Sequence, residues 1–166
     1  MCGINGIISK DKNKDKLIKS MNEKILHRGP DAEGIFVEGD VALGQRRLSI
    51  IDLAGGNQPI YNEDKSILIM YNGEVYNYKE LKEELTEYKF ETESDTEVVL
   101  HGYEKWGHDL PKKLRGMFAY AIYDKNKGEI LNLYIIIMMV IRYYLAQRLR
   151  VFLLILNLRK YLIKNY

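Results

Sequence analysis

The sequence predicts an α+β fold of packed α and β layers, on three observations. Its elements run strand, helix, several strands, two helices, strand, without the alternation that builds a parallel βαβ sheet. The helical segments carry apolar residues at i, i+3 and i+4, whereas the strand segments are short, β-branched or aromatic, and broken by Gly or Asn. With 166 residues, 46% hydrophobic and 29% charged, the chain can bury a core, and disordered and collagen-like classes are excluded.

The elements follow in order. Residues 2–9 read as a strand at the N-terminus, with no basic and then apolar leader before it, which points to a reducing cytoplasm. Leu17, Ile18, Met21 and Ile25 share a helical face, and the helix ends in a turn at Arg28-Gly29-Pro30-Asp31. Strands are expected over 34–37, 42–51 and 67–72, and residues 55–59 are a loop by composition. Asn77 is placed to cap a helix over 78–88 with Leu81 and Leu85 on one face. Ser94 or Asp95 caps a second helix that has Glu97 in its first turn and Val98, Val99 and Trp106 along it. Residues 116–124 form a strand running into an Asp-Lys-Asn-Lys-Gly turn.

The net charge of +2 conceals a division. Residues 1–129 hold all 13 Gly, all 3 Pro and all 23 acids against 19 Lys and Arg, a net −4. Residues 130–166 contain no Gly, Pro, Asp or Glu, six Lys and Arg, and sixteen Ile or Leu. Loops need Gly and Pro where a chain turns, so the two segments read as two texts joined near Glu129. The mildly acidic first segment has no basic stripe, and a nucleic-acid partner is not expected. His27, His101 and His108 are not grouped as ligands, and no metal site is expected.

A single cysteine excludes an internal disulfide. If Met1 is removed, Cys2 carries both a thiol and a free α-amine, whose reference pKa of about 7.7–8.0 suits it to act as general base for its own thiol. The plainer reading is a small hydrophobe at the start of a strand. Gly3 and Gly6 leave the backbone beside the thiol unshielded, which suits close approach of a substrate.

Five segments then carry a resemblance: Met1-Cys2-Gly3-Ile4-Asn5-Gly6-Ile7, His27-Arg28-Gly29-Pro30-Asp31, Gln45-Arg46-Arg47-Leu48-Ser49-Ile50-Ile51-Asp52, Tyr71-Asn72-Gly73-Glu74-Val75-Tyr76-Asn77 and Ser94-Asp95-Thr96-Glu97. In this order they resemble the class II glutamine amidotransferase domain of glutamine-hydrolysing asparagine synthetases. The resemblance implies a four-layer αββα N-terminal-nucleophile hydrolase sandwich over residues 2–129, incomplete at its C-terminal end. It implies that Cys2 attacks the side-chain amide of glutamine and releases ammonia, with Asn72 and Gly73 as the oxyanion hole, worth roughly 3–4 kcal/mol per donor. It further implies a substrate site of Arg47, Leu48, Ile50, Glu74 and Asp95, in which Arg47 takes the α-carboxylate and Asp95, with Glu74 nearby, the α-ammonium. No cofactor is implied for this step; ATP and magnesium belong to a synthetase domain, the expected partner, whose Ser-Gly-Gly-x-Asp-Ser loop these residues lack.

Taken alone, each position has a plainer reading. Arg47 reads as a solvated strand charge, Asn72-Gly73 as a hairpin turn, and Asp95 as a helix cap. Arg28 and Asp31 read as a structural pair or as residues positioning a loop over the site. Gln45 stands where the family often has His.

The tail over 130–166 departs from the family. Its longest charge-free run, 130–141, is 12 residues, short of the roughly 20 that cross a membrane, so a span is not expected. A shifted reading frame accounts for it better. Read from the third base of each codon, Leu131 onward permits Lys-Pro-Leu-Tyr, as in the family's continuation, and Met138, Met139 and Val140 force Asp-Gly there. The alternatives to a working glutaminase half are an inactive remnant and a membrane-tethered module. The segment over 131–141 is β-prone enough to supply a substitute strand.

Overall fold

A computed structural model describes residues 2–49 and 56–133. The first sheet is built on β3 (Val41–Arg47), which pairs antiparallel with β1 (Gly3–Ile8) on one side and with β2 (Ala32–Glu38) on the other. Flanked on both edges, β3 is buried along almost its whole length. Its alternate residues serve two faces: Val41 and Leu43 point inward toward the second sheet, and Gly44 points outward against α1 (Lys14–Lys24).

The second sheet has the order β4 (Ile60–Tyr61), β5 (Ile67–Val75), β6 (Gly116–Asp124), β7 (Glu129–Leu133), all antiparallel. Over residues 67–71, strand β5 is apolar on both faces because both are covered. Leu68 and Met70 meet Phe36, Val41 and Leu43 between the sheets. Ile67, Ile69, Tyr71 and Val75 face the other way, toward α2 (Tyr78–Glu84), α3 (Asp95–Trp106) and α4 (Leu110–Lys113). The layers are therefore α1, sheet, sheet, and α2 to α4, the αββα sandwich expected. Each fully buried Leu or Ile in these cores contributes about 1.5–3 kcal/mol.

Several local expectations change. Leu17 is exposed rather than on the buried face of α1, and Asn22 is fully buried instead. The Asn22 amide fits there because its Nδ2 donates to Gly34 O (3.2 Å) and Glu33 Oε1 (3.1 Å) while its Oδ1 accepts from Asn5 Nδ2 (2.9 Å). A hydrogen-bonded amide replaces apolar contact on that stripe.

The strand expected over 42–51 ends at Arg47 because the next amides leave the ladder: Leu48 N donates to Cys2 Sγ and Ser49 N to Asp31 Oδ2. The helix expected over 78–88 ends at Glu84. Asn77 sits at its N-cap position without capping it; its Oδ1 accepts from Arg115 N (2.9 Å) and its Nδ2 donates to Lys113 O (3.0 Å), which pins the approach to β6. Ser94 does cap α3, accepting from Thr96 N at 3.2 Å. Strand β7 runs across position 130, where the composition changes; the rest of the tail lies outside the described residues.

Candidate functional site

The N-terminal cysteine sits where the two sheets meet. Cys2 directly precedes β1, and its half-buried Sγ accepts from Leu48 N at 3.3 Å and lies 3.5 Å from Leu48 O. The His27 to Asp31 segment fixes both sides of this contact. Arg28 Nε donates to Cys2 O at 3.1 Å, and Asp31 holds the strand end opposite, its N donating to Arg47 O (3.0 Å) and its Oδ2 accepting from Ser49 N (2.8 Å). Arg28 and Asp31 thus position the two chain segments that carry Cys2 and Leu48. Gly29 is required between them, since a Cβ there would overlap the backbone of Arg46.

Across from the thiol, Asn72 and Gly73 lie inside β5, paired with Ala119 and Phe118 of β6. The hairpin-turn reading of Asn72-Gly73 is therefore replaced: both are mid-strand, and Gly73 is needed because a Cβ would overlap Met117 O and Phe118 Cα. Alternation along β5 sends Asn72 to the inter-sheet side with Leu68 and Met70, and Tyr71 to the helix side.

A cavity of about 150 Å³ brings these groups together. Cys2, Arg47, Leu48, Asn72, Gly73, Glu74 and Asp95 all line it, and Ile50 lies outside the described residues. Arg47 is buried at the end of β3, not a solvated strand charge, and its Nη1 donates to Asn57 Oδ1 at 3.0 Å. Asp95 opens α3 but is not its cap. Buried, it accepts on Oδ2 from Tyr71 Oη (2.7 Å) and from Val75 N (2.8 Å). Among the described residues the cavity thus carries one guanidinium, Arg47, and two carboxylates, Glu74 and Asp95, a match for a zwitterionic head group.

Gly56, Gln58, Tyr71, Ser94, Thr96 and Met117 also line the cavity and are not among the site residues expected from the sequence. Tyr71 lies within a quoted motif, but strand alternation turns its ring away from Asn72, and only the position of α3 returns its hydroxyl to the site. Burial, and then the negative charge of Asp95, pushes its pKa far above the usual tyrosine range, so it remains a hydrogen-bond donor.

A second and larger cavity, about 320 Å³, is lined by Asn62, Glu63, Asp64, Glu87, Tyr88, His101 and Glu104. It holds neither the thiol nor an amide donor in place for acyl chemistry. His101 is buried between two carboxylates: Nδ1 lies 2.7 Å from Glu104 Oε2, and Nε2 is 3.6 Å from Glu97 Oε1, an ion-pair separation too long for a hydrogen bond. Burial alone would lower its pKa; the two glutamates outweigh that and raise it to about 9. Burial opposes ionisation of Glu97 as well, but His101 and the Glu91 and Thr92 donors bring its pKa down to about 2. Among the described residues no cluster of His, Cys, Asp or Glu could hold a metal ion, and no helix is long and apolar enough to cross a membrane.

A family model described as a glutamine amidotransferase domain matches residues 1–133. The chain belongs to the glutamine amidotransferase domain family. The amidotransferase domain is 48% identical over 133 residues to asparagine synthetase [glutamine-hydrolyzing] 1 of Bacillus subtilis (strain 168), covering 76% of this chain and 21% of that protein. It is 43% identical over 131 residues to the asparagine synthetase [glutamine-hydrolyzing] of Asparagus officinalis, covering 77% and 22% of the two chains. The chain thus spans about a fifth of the length of these curated relatives. Among solved structures, glutamine phosphoribosylpyrophosphate amidotransferase from B. subtilis, complexed with ADP and GMP, superposes with a TM-score of 0.62 at 22% identity, over 75% of this chain and 35% of that one. That likeness shows a shared fold, the αββα sandwich described above.

Proposed function

We propose that this amidotransferase domain hydrolyses L-glutamine to glutamate and ammonia, as the glutaminase half of an asparagine synthetase. The observation that carries the reading is one cavity lined by a thiol, an amide donor, a buried guanidinium and two carboxylates. After removal of Met1, the Cys2 α-amine takes the thiol proton as sulfur attacks the side-chain carbonyl carbon. Negative charge on the carbonyl oxygen is met by the Asn72 side-chain amide and the Gly73 backbone N–H. The C–N bond breaks, the amine returns the proton to the leaving nitrogen, and ammonia departs from a γ-glutamyl thioester. Water then attacks the thioester and gives a proton to the amine, the C–S bond breaks, and the amine passes that proton to the leaving sulfur, releasing glutamate and the free thiol.

Arg47 takes the α-carboxylate of the substrate, and Asp95 with Glu74 takes its α-ammonium, while Leu48 and Ile50 are assigned to the same substrate site. The step moves only protons and an acyl group, so it draws on no cofactor. ATP and magnesium would serve a synthetase domain that passes the ammonia to aspartate, and a reducing cytoplasm would keep the thiol free. The tail over 130–166 is proposed to be read in a shifted frame; DNA whose alternative frame fails to spell Lys-Pro-Leu-Tyr and Asp-Gly would refute this.

The test of the function is covalent. Incubation with 6-diazo-5-oxo-L-norleucine should place an adduct on Cys2, seen by mass spectrometry of the N-terminal peptide. A folded, Met-clipped protein that takes no label would refute it.

A further inference from the structure

Two consecutive side chains of the loop before β4 tie together Arg47 and Asp95, two of the ionic groups of the cavity. Asn57 Oδ1 accepts from Arg47 Nη1 at 3.0 Å. Gln58 Oε1 accepts from the Tyr71 backbone N–H at 2.6 Å, and Tyr71 in turn donates its hydroxyl to Asp95 Oδ2 at 2.7 Å. Arg47 ends a strand of the first sheet, whereas Tyr71 belongs to the second and Asp95 to the helix packed on it. The loop therefore bridges the seam that the site straddles.

The way Gln58 makes its bond shows why a side chain is used. Continuing the β4–β5 register from Ile60↔Ile69 would set position 58 opposite Tyr71, where a strand would offer its backbone carbonyl. That carbonyl is instead packed on Gly34 of β2, where a Cβ would overlap it. Gln58 thus gives its backbone to the first sheet and its side-chain oxygen to the second. Asn57, the exposed residue beside it, reaches the guanidinium.

We propose that Asn57 and Gln58 are positioning residues that set the separation of the Arg47 guanidinium from the Asp95 carboxylate, and so select an α-amino acid head group. This inference rests on reading the cavity as a glutamine site. An ammonium and a carboxylate on one carbon present two charges at a fixed short spacing. Two anchors on different sheets match that spacing only if their offset is held within about 0.5 Å, and a loop bonded to both provides that restraint. Neither residue takes part in the chemistry at the thiol.

The experiment uses the full chain with the substitutions Asn57→Ala, Asn57→Asp and Gln58→Met. Steady-state hydrolysis of L-glutamine is measured beside the rates at which Cys2 is labelled by 6-diazo-5-oxo-L-norleucine and by iodoacetamide. The first reagent needs the head-group anchors, and the second needs only the thiol. Asn57→Ala and Gln58→Met should each raise KM about fivefold, the scale of one lost hydrogen bond, with kcat little changed. Labelling by the glutamine analogue should slow in parallel, with iodoacetamide unaffected. Asn57→Asp, which keeps an acceptor for Arg47, should restore the KM. The inference is overturned if KM stays at the unsubstituted value, or if both reagents lose rate together and Tm falls, which marks a purely structural loop. If the unsubstituted chain takes iodoacetamide but not the glutamine analogue, the glutamine-site reading itself is overturned.

Discussion

Asp95→Asn separates charge from shape at the ammonium end of the cavity. The Asp95 carboxylate is buried and already accepts from Tyr71 Oη and Val75 N on one oxygen. An Asn side-chain carbonyl can accept both bonds, so the packing of α3 against β5 survives and stability should stay within about 1 kcal/mol. What is lost is the negative charge that the proposed function sets against the substrate ammonium. A charge-assisted hydrogen bond of this kind is worth about 1.5–3 kcal/mol, which at about 1.4 kcal/mol per tenfold is a rise in KM of about 10- to 150-fold. The proposed oxyanion donors Asn72 and Gly73 are untouched, so kcat at saturation should change little. The assay is ammonia release against glutamine concentration, with a thermal melt as control. A KM equal to that of the unsubstituted chain, with the fold intact, would show that Asp95 does not bind the ammonium.

Other outcomes follow from the same geometry. Asn72→Ala removes one proposed oxyanion donor and should lower kcat about 10²- to 10³-fold with a smaller effect on KM; a loss confined to KM would remove Asn72 from that role. Gly73→Ala places a methyl group against Met117 O and Phe118 Cα, and should destabilise the protein by about 1–3 kcal/mol in denaturant titration; an unchanged midpoint would show that β6 yields freely. The pKa of His101 is raised from its ordinary 6.5 to about 9. Its protonation therefore stabilises the fold fully below about pH 6.5, and that contribution is lost as pH rises through about 9. A melt series from pH 6 to 10 should show this decline and lose it in His101→Gln. Equal slopes in the two proteins would contradict the assignment.

How far the sequence could be read depended on the distance over which each residue acts. The strands β1, β2 and β5, the cap Ser94 and the buried pair Leu81 and Leu85 follow from local spacing, and their burial agrees with it. Spacing misplaced Leu17 because hydrophobic periodicity registers apolarity and does not register that the Asn22 amide finds partners on β1 and β2. It overran β3 because the amides of Leu48 and Ser49 are taken by groups from 46 and 18 residues away. Gln58 and Tyr71 were passed over for a related reason. A glutamine in a polar loop and an aromatic in a buried strand are ordinary locally, and their function lies in what they bond.

The chemical repertoire of this protein is a property of its residues in order. A cysteine that can become the first residue, an Asn-Gly pair, an arginine and two acids are the groups on which the proposed hydrolysis of glutamine draws. Their convergence is a property of the fold. Cys2 and Arg47 come from the first sheet, Asn72 to Glu74 from the second, and Asp95 from α3, so one cavity exists only when the sheets pack at a single offset. That offset is set by interdigitated side chains such as Phe36, Leu43, Leu68 and Met70, and by the Asn57-Gln58 bridge at the rim. Such contacts join residues remote in the chain, and no periodicity in the sequence records them.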